Sequence, residues 1–287
     1  MRSVPLKTLF PVVFALVLAS LVLVTPGSTL CEARPVHSEP GETGGAVLIV
    51  MDERPQMEAI AQFLKTKGGI ESVIVDQAHL PQDWSGFRAV LGYIHGSLAE
   101  PTEIKFIDYT KKGGRLVLLH HSISSGKARN RYFFDFLGIE LTEPQKAREP
   151  SISGGHYAWR DPIEQVIVNL RPGHYITSHE IQWPERARYS SSDLPSSERD
   201  WPALTLRNSE VYVNHKFTDG RAKTVLLGFK WTDDRNGQQY LQDRTGWYRR
   251  QGAGWVFYLQ PGHSTEELQT PAISQMILNA VAWDGKE

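Results

Sequence analysis

A single cysteine, Cys31, is all the thiol this chain holds, and it lies in an N-terminal segment that reads as a leader. With Cys31 removed, disulfides, thiolate nucleophiles and cysteine-ligated metals are excluded together. One-sided charge is also missing. The 31 Lys and Arg against 32 Asp and Glu leave a net charge of −1, and no basic stretch stands out, so no nucleic-acid partner is expected. There is no His-Glu-x-x-His run or similar local metal motif. Internal repeats are absent too, which sets aside solenoids and propellers.

What is present begins with an export signature. Arg2 and Lys7 accompany the apolar run "TLFPVVFALVLASLVLVT", and "PGSTLCEA" places small residues at Cys31 and Ala33 in the pattern signal peptidases accept. Residues 1–33 are read as a signal peptide cleaved after Ala33, so a periplasmic or secreted protein is expected, with no membrane attachment after cleavage. An uncleaved anchor is the alternative, because the run is about long enough to span a bilayer. A lipoprotein site would need a small residue where Leu30 precedes Cys31. Residues 34–45, "RPVHSEPGETGG", form a polar Pro/Gly linker, and residues 46–287 are read as one domain.

"AVLIVM" (46–51) is a continuous apolar run of strand length, as a central strand covered on both faces requires. Met57, Ile60, Ala61 and Leu64 follow at helical spacing, and Gly68-Gly69 ends that helix. "ESVIV" (71–75) and "RAVLGYI" (88–94) read as strands, 102–112 as a helix, and "RLVLLH" (115–120) as a fourth strand. Strands alternating with helices define βαβ units and a parallel sheet. The middle is less regular. "EQVIV", "EVYV" and "TVLLGF" are short strand candidates, and the Ser/Pro-rich stretch 184–202 is predicted to be a surface insertion. Order returns with "GWVFYLQ" and a last helix carrying Ile273, Met276, Ile277, Ala280 and Val281 on one face.

Ligands of open parallel sheets gather at the carboxyl ends of the strands, so the polar residues falling there are the candidates. They are Asp52, Glu53 and Arg54 after the first strand, His95 after the third, and His120, His121 and Ser122 after the fourth. Glu210, Tyr212 and His215 lie near late strands, and His263 follows the last. Each has a plainer reading. A histidine at a strand end is more often a hydrogen-bonded structural residue, and Asp52-Glu53-Arg54 is most simply a solvated loop before a helix N-terminus. His120 holds the apex of a strand-to-helix turn, yet Leu118 occupies a place where a nucleophile elbow needs a small residue. Histidine is a poor acyl nucleophile beside Ser or Cys and a good general base. Hydrolysis through an acyl-enzyme is therefore not expected. The aromatic residues Trp231, Tyr240, Trp247 and Tyr248 offer either a stacking wall for a sugar ring or ordinary core packing.

Longer stretches carry a resemblance. "GGRLVLLH" (113–120) resembles the "GGGFVGIH" signature of the ThuA-like, or trehalose-utilisation, family. "NSEVYVNHKF" (208–217) resembles its Asp-Glu-x-Tyr stretch, and "WYRRQGAGWVFYLQPGHS" (247–264) its ending in Gly-x-Gly-Arg-Val-Phe-Tyr and Gly-His. "ISQMILNAVAWDGK" matches its terminal helix. The resemblance implies a class I glutamine-amidotransferase-like fold, a flavodoxin-like three-layer αβα sandwich with a mostly parallel central sheet. Amidotransferases carry a cysteine where His120 stands, so amide transfer is not implied. Three departures bear on substrate: Trp255 replaces the usual Arg, His121 the usual Ser, and Ser209 the Asp before Glu210.

The resemblance implies chemistry on a sugar or keto-sugar of the trehalose type, with a small-molecule carbohydrate as partner. The expected catalytic residues are His120, Glu210 and His263. Asp52, His95, His121, Ser122, Tyr212 and Trp247 are the expected substrate contacts. No cofactor and no metal ligand is expected, with a zinc or iron site built from distant histidines as the minor alternative. A non-catalytic carbohydrate- or protein-binding module and a metal-dependent hydrolase are the competing functions. The sequence does not give the oligomeric state.

Overall fold

Successive residues of the first apolar run enter two different cores. Val47, Ile49 and Met51 join one, and Leu48 and Val50 the other, because side chains of a strand alternate between its faces. The computed structural model describes residues 45–141, 157–191, 198–220 and 222–286. The expected signal peptide, and all of the linker but Gly45, lie outside the described residues. Among the described residues no helix is long and apolar enough to cross a membrane.

In chain order the elements are β1 (Val47–Met51), α1 (Arg54–Gly68), β2 (Ser72–Val75), β3 (Ala89–Tyr93), α2 (Glu100–Lys111), β4 (Arg115–Leu119), α3 (Phe133–Leu137) and β5 (Ile139–Glu140). There follow β6 (Ala158–Asn169), α4 (Tyr175–Ser178), β7 (Glu185–Tyr189), β8 (Arg199–Val213) and β9 (Lys216–Phe217). The last are β10 (Lys223–Thr232), β11 (Gln239–Gln251), β12 (Gly254–Leu259), α5 (Thr265–Leu268) and α6 (Pro271–Ala282). Helix α1 starts at Arg54 with Pro55 in its first turn and stops at Gly69, whose φ of 62° suits glycine. The N–H groups of Gly69 and Ile70 return to the carbonyls of Lys65 and Leu64.

The main sheet runs β2-β1-β3-β4-β12-β11-β10-β6-β8-β7. The first five strands pair in parallel, as the alternating pattern predicts. From β12 onward every pairing is antiparallel. Met57, Ile60 and Leu64 of α1 and Ile273, Met276 and Ile277 of α6 fill the core on one face, while Phe106 of α2 and Phe133 of α3 fill the core on the other. The result is the three-layer α/β sandwich expected. Residues 192–197 of the expected surface insertion 184–202 lie outside the described residues, and the rest is more regular than expected. Polar composition hid a two-residue alternation, Ala187 and Tyr189 facing inward, so β7 forms and pairs with the start of β8. The Tyr189 hydroxyl donates to Asp243 Oδ1 at 2.5 Å.

The antiparallel half is strongly bent. β8 is five places from β4 in the sheet order, which in a flat sheet is about 24 Å. Yet side chains from β8 touch residues at the end of β4. The bending devices are local. Register shifts interrupt the β6–β8 ladder on either side of Ile163, and the β10–β11 ladder at Val225, Leu227 and Phe229. Asn208 within β8 takes φ 52°. Bulges of this kind turn a strand and increase its twist.

Candidate active site

β4 ends at Leu119, and His120 turns the chain into a 3-10 helix over His120–Ile123 with φ 39°. A non-glycine residue there costs about 1–2 kcal/mol, and sharp strained turns of this type present the nucleophile in strand–turn–helix enzymes. Surrounding contacts hold the turn. His120 is fully buried and its Nδ1 lies 2.5 Å from the Gln260 carbonyl. A carbonyl only accepts, so Nδ1 carries the proton and donates. The Tyr258 hydroxyl donates to the His120 carbonyl at 3.2 Å. Nε2 is thereby aimed at Glu210 Oε2, 2.7 Å away.

Glu210 and Tyr212 are two apart on β8 and share a face. The Tyr212 hydroxyl donates to Glu210 Oε2 at 3.1 Å, and its ring stacks on His120 with centroids 5.0 Å apart. Behind them Gln165 Nε2 donates to the Glu210 carbonyl and to Ser209 Oγ, and Ser209 donates to Glu267 Oε1 at 2.7 Å. Burial pushes the Glu210 carboxyl up. Hydrogen bonds from His120 and His263 outweigh it and hold the group well below the usual carboxylate range.

His263 reaches the same carboxylate from the loop after β12. Gly262 before it has φ 133°, and a Cβ there would meet Leu268 at 3.1 Å and the His120 Cβ at 3.5 Å, so glycine permits the close approach. The His263 N–H donates to Glu267 Oε2 at 2.8 Å, while Ser264 caps α5 by accepting from Glu267 N. His263 Nδ1 sits 3.1 Å from Glu210 Oε2 and 3.3 Å from His120 Nε2, and its Nε2 lies 3.7 Å from Asp161 Oδ2. Its side chain is 32% exposed, against 0% for His120 and 7% for Glu210. The hydrogen bond to Glu210 raises its pKa above the ordinary value.

A second group adjoins the first. The His121 ring stacks on His95 at 4.3 Å and 5°. Its Nε2 is 3.7 Å from Glu210 Oε2, and its Nδ1 is 3.8 Å from Glu53 Oε2. Burial, then the charge on His120, pulls the His121 pKa down to about 2, so the ring is neutral. His95 is exposed and lies 3.5 Å from Glu53 Oε1. Their hydrogen bond raises the imidazole and lowers the carboxyl. The donor atoms of His120, His121, Glu210 and His263 all lie within 4.8 Å of one another, as do those of Glu53, His95 and His121.

The structure thus brings His120, Glu210, His263, Tyr212, His121 and His95 to one sheet edge. Other expected contacts are corrected. Asp52 reaches that edge, but its carboxylate accepts the backbone N–H groups of His95 and Gly96, so it shapes the loop. Ser122 is buried and donates to the Gly92 carbonyl at 2.7 Å. Trp247 is fully buried, packed on Tyr258 and Phe217. Trp231 and Tyr240 stack on each other, and Tyr248 lies against Trp283. These rings sit on β10 and β11, inner strands covered on both sides, and form no sugar-stacking wall. Trp255 opens β12 beside Arg115 and Trp283, about 13 Å along the strand from Leu259, so it is remote from the cluster.

One participant, Lys127, has no place in the sequence reading, and Glu53, a strand-end candidate whose plainer reading is a solvated loop, joins the site. Glu53 is no solvated loop residue, since it faces His95 and His121. Lys127 is fully buried and its Nζ donates to the carbonyls of Ile94, His95 and His121 and to Ser124 Oγ, tying the ends of β3 and β4 together. Burial lowers its pKa to about 7. A single lysine in "SGKARN" carries no motif that could have flagged it.

A strained turn after a central parallel strand, with a buried histidine at its apex, places this site in a three-layer α/β sandwich. Residues 49–284 match the ThuA family, described as trehalose utilisation, and the chain belongs to that family. A ThuA-like protein from Bacteroides uniformis superposes with TM-score 0.51 at 16% identity, covering 85% of this chain and 94% of the other. A cytoplasmic protein from Salmonella typhimurium gives TM-score 0.50 at 13% identity, over 83% and 98%. Identities this low speak to the fold alone. No curated protein matches the chain.

Proposed function

We propose that this ThuA-family chain is an exported enzyme that moves a proton next to the carbonyl of an oxidised sugar, in isomerisation or elimination. The observation that carries the reading is the sharing of one buried carboxylate, Glu210, between His120 at 2.7 Å and His263 at 3.1 Å, with His263 the solvent-facing member. Glu210 and the Asp161 side fix the His263 ring, and the raised pKa makes its free nitrogen a stronger base than an ordinary imidazole. The proton leaves the carbon beside the carbonyl for His263 Nε2, and the electron pair moves onto the carbonyl oxygen. Reprotonation of the enol at the neighbouring carbon, or departure of a β-substituent, completes the reaction. No covalent nucleophile is required. Export rests on the leader pattern of residues 1–33.

The test is solvent exchange. In D2O with a keto-disaccharide, wild-type protein should place deuterium on the carbon next to the carbonyl, and His263→Ala should slow this about 100-fold. Sugar binding without exchange or turnover would overturn the enzyme and leave the carbohydrate-binding module.

A further inference from the structure

We propose that the floor of this site is a divalent transition-metal centre, with His120 Nε2, His121 Nε2 and Glu210 Oε2 as its ligands and His263 bordering an open coordination position. The inference deepens the proton-transfer reading and rests on it only for what the ion would do to a substrate. Binding of the ion stands on geometry.

The first support is the tautomer of His120. Its Nδ1 proton is fixed by the Gln260 carbonyl at 2.5 Å, the arrangement by which proteins orient metal-binding histidines and leave the other nitrogen's lone pair free. That nitrogen lies 2.7 Å from the Glu210 carboxylate oxygen and 3.3 Å from His263 Nδ1. With no ion bound, a proton on Nε2 makes the hydrogen bond to Glu210; a cation held between the same two atoms would replace that proton. The second is spacing. Glu210 Oε2 is 2.7 Å from His120 Nε2 and 3.7 Å from His121 Nε2. Two ligands each about 2.1 Å from an ion are that far apart at angles of roughly 80° to 125°.

The third support is His121 itself. It is 5% exposed and its Nδ1 has no hydrogen-bond partner, in a ring fixed by stacking on His95. A ligand role for Nε2, 3.7 Å from Glu210 Oε2, leaves Nδ1–H facing Glu53 Oε2, 3.8 Å away. Two imidazoles and a carboxylate form the three-ligand set that leaves positions open on zinc or ferrous iron. The three are nearly buried, while the fourth neighbour, His263, is 32% exposed. That asymmetry separates ligands from the residue at the mouth. An ion there would polarise the carbonyl oxygen whose neighbouring proton His263 takes.

Titration of the chelator-stripped full chain with Co2+ reads binding without any substrate. One equivalent should bind, with visible ligand-field absorption that Zn2+ abolishes. His121→Ser and Glu210→Gln should each weaken Co2+ at least 10-fold, with circular dichroism unchanged. His263→Ala should stay within about 3-fold of wild type. Less than 0.2 equivalents on folded wild type, or wild-type affinity in both ligand variants, would overturn the centre. Equal loss in His263→Ala would overturn the open position. If Co2+ binds but keto-sugars show no exchange, the proton-transfer reading fails and the metal centre stands. If stripped protein turns keto-sugars over undiminished, the metal centre fails and that reading stands.

Discussion

The two halves of the sheet supply the site in different ways. The parallel half, β2-β1-β3-β4-β12, delivers Glu53, His95, His120, His121 and His263 just beyond strand ends, where the backbone is released from the ladder and can adopt turns such as φ 39° at His120. The antiparallel half delivers Glu210 and Tyr212 from inside a strand, where pairing fixes them, and it reaches the site because the sheet turns at the register shifts of the β6–β8 and β10–β11 ladders. The parallel half alone would present a row of imidazoles facing water. The bent half covers them with one carboxylate, and that carboxylate sets their charge and spacing. An end-of-strand site is therefore completed by a side chain from within a strand.

Removing the antiparallel contribution should have the largest effect. Glu210→Gln keeps the shape and removes the charge, and exchange on a keto-disaccharide should fall at least about 1,000-fold, measured as kcat/KM. A fall below 10-fold would mean that the imidazoles suffice by themselves. Next comes the bend. Asn208→Val places a β-branched residue at φ 52° and should cost about 1–3 kcal/mol in a urea titration and reduce exchange, while Asn208→Gly should be close to neutral. Equal behaviour of the two would show that the backbone angle is not what carries Glu210 into place.

The charge coupling between the halves predicts a pH window in chelator-stripped protein. Glu210 is depressed on folding, so its contribution is present above the ordinary value near 4.5 and lost as pH falls from there. His263 is raised by Glu210, so its contribution is full below about 6.5 and lost as pH rises through the folded value. The coupling should therefore stabilise most between about pH 4.5 and 6.5, and Glu210→Gln should flatten the urea midpoint against pH on both sides. The smallest effect is expected at the far end of the parallel half. Trp255→Phe should lose roughly 1 kcal/mol of stability from core packing and leave KM within about 2-fold. A large KM change would place the substrate along β12 after all.

The parallel half was largely legible in the sequence, because unbroken apolar runs and helical spacing report burial on two faces directly. Helix α1 ends at the Gly68-Gly69 signal, and the first, third and fourth strands fall within a residue or two of their expected bounds. The strand hidden in 184–202 was not legible, since its alternation involves few residues under a polar composition. Of the site, the histidines and Glu53 stood out by position at strand ends, though Glu53 reads more simply as solvated until the rings it faces are known, whereas Lys127 carries no pattern and gains meaning only from the carbonyls it holds.

By itself, then, the sequence determined the layered α/β class, the restriction to a single cysteine, Cys31, and which histidines end strands, because these follow from residue type and local periodicity. Only the tertiary structure decided that Glu210 meets His120 and His263, that Trp247 is core, and that His121 belongs with the cluster. Those outcomes depend on how far a bulged sheet bends and which way a strained turn points its side chains. Such quantities are set by contacts between segments 50 to 150 residues apart, and no local pattern encodes them.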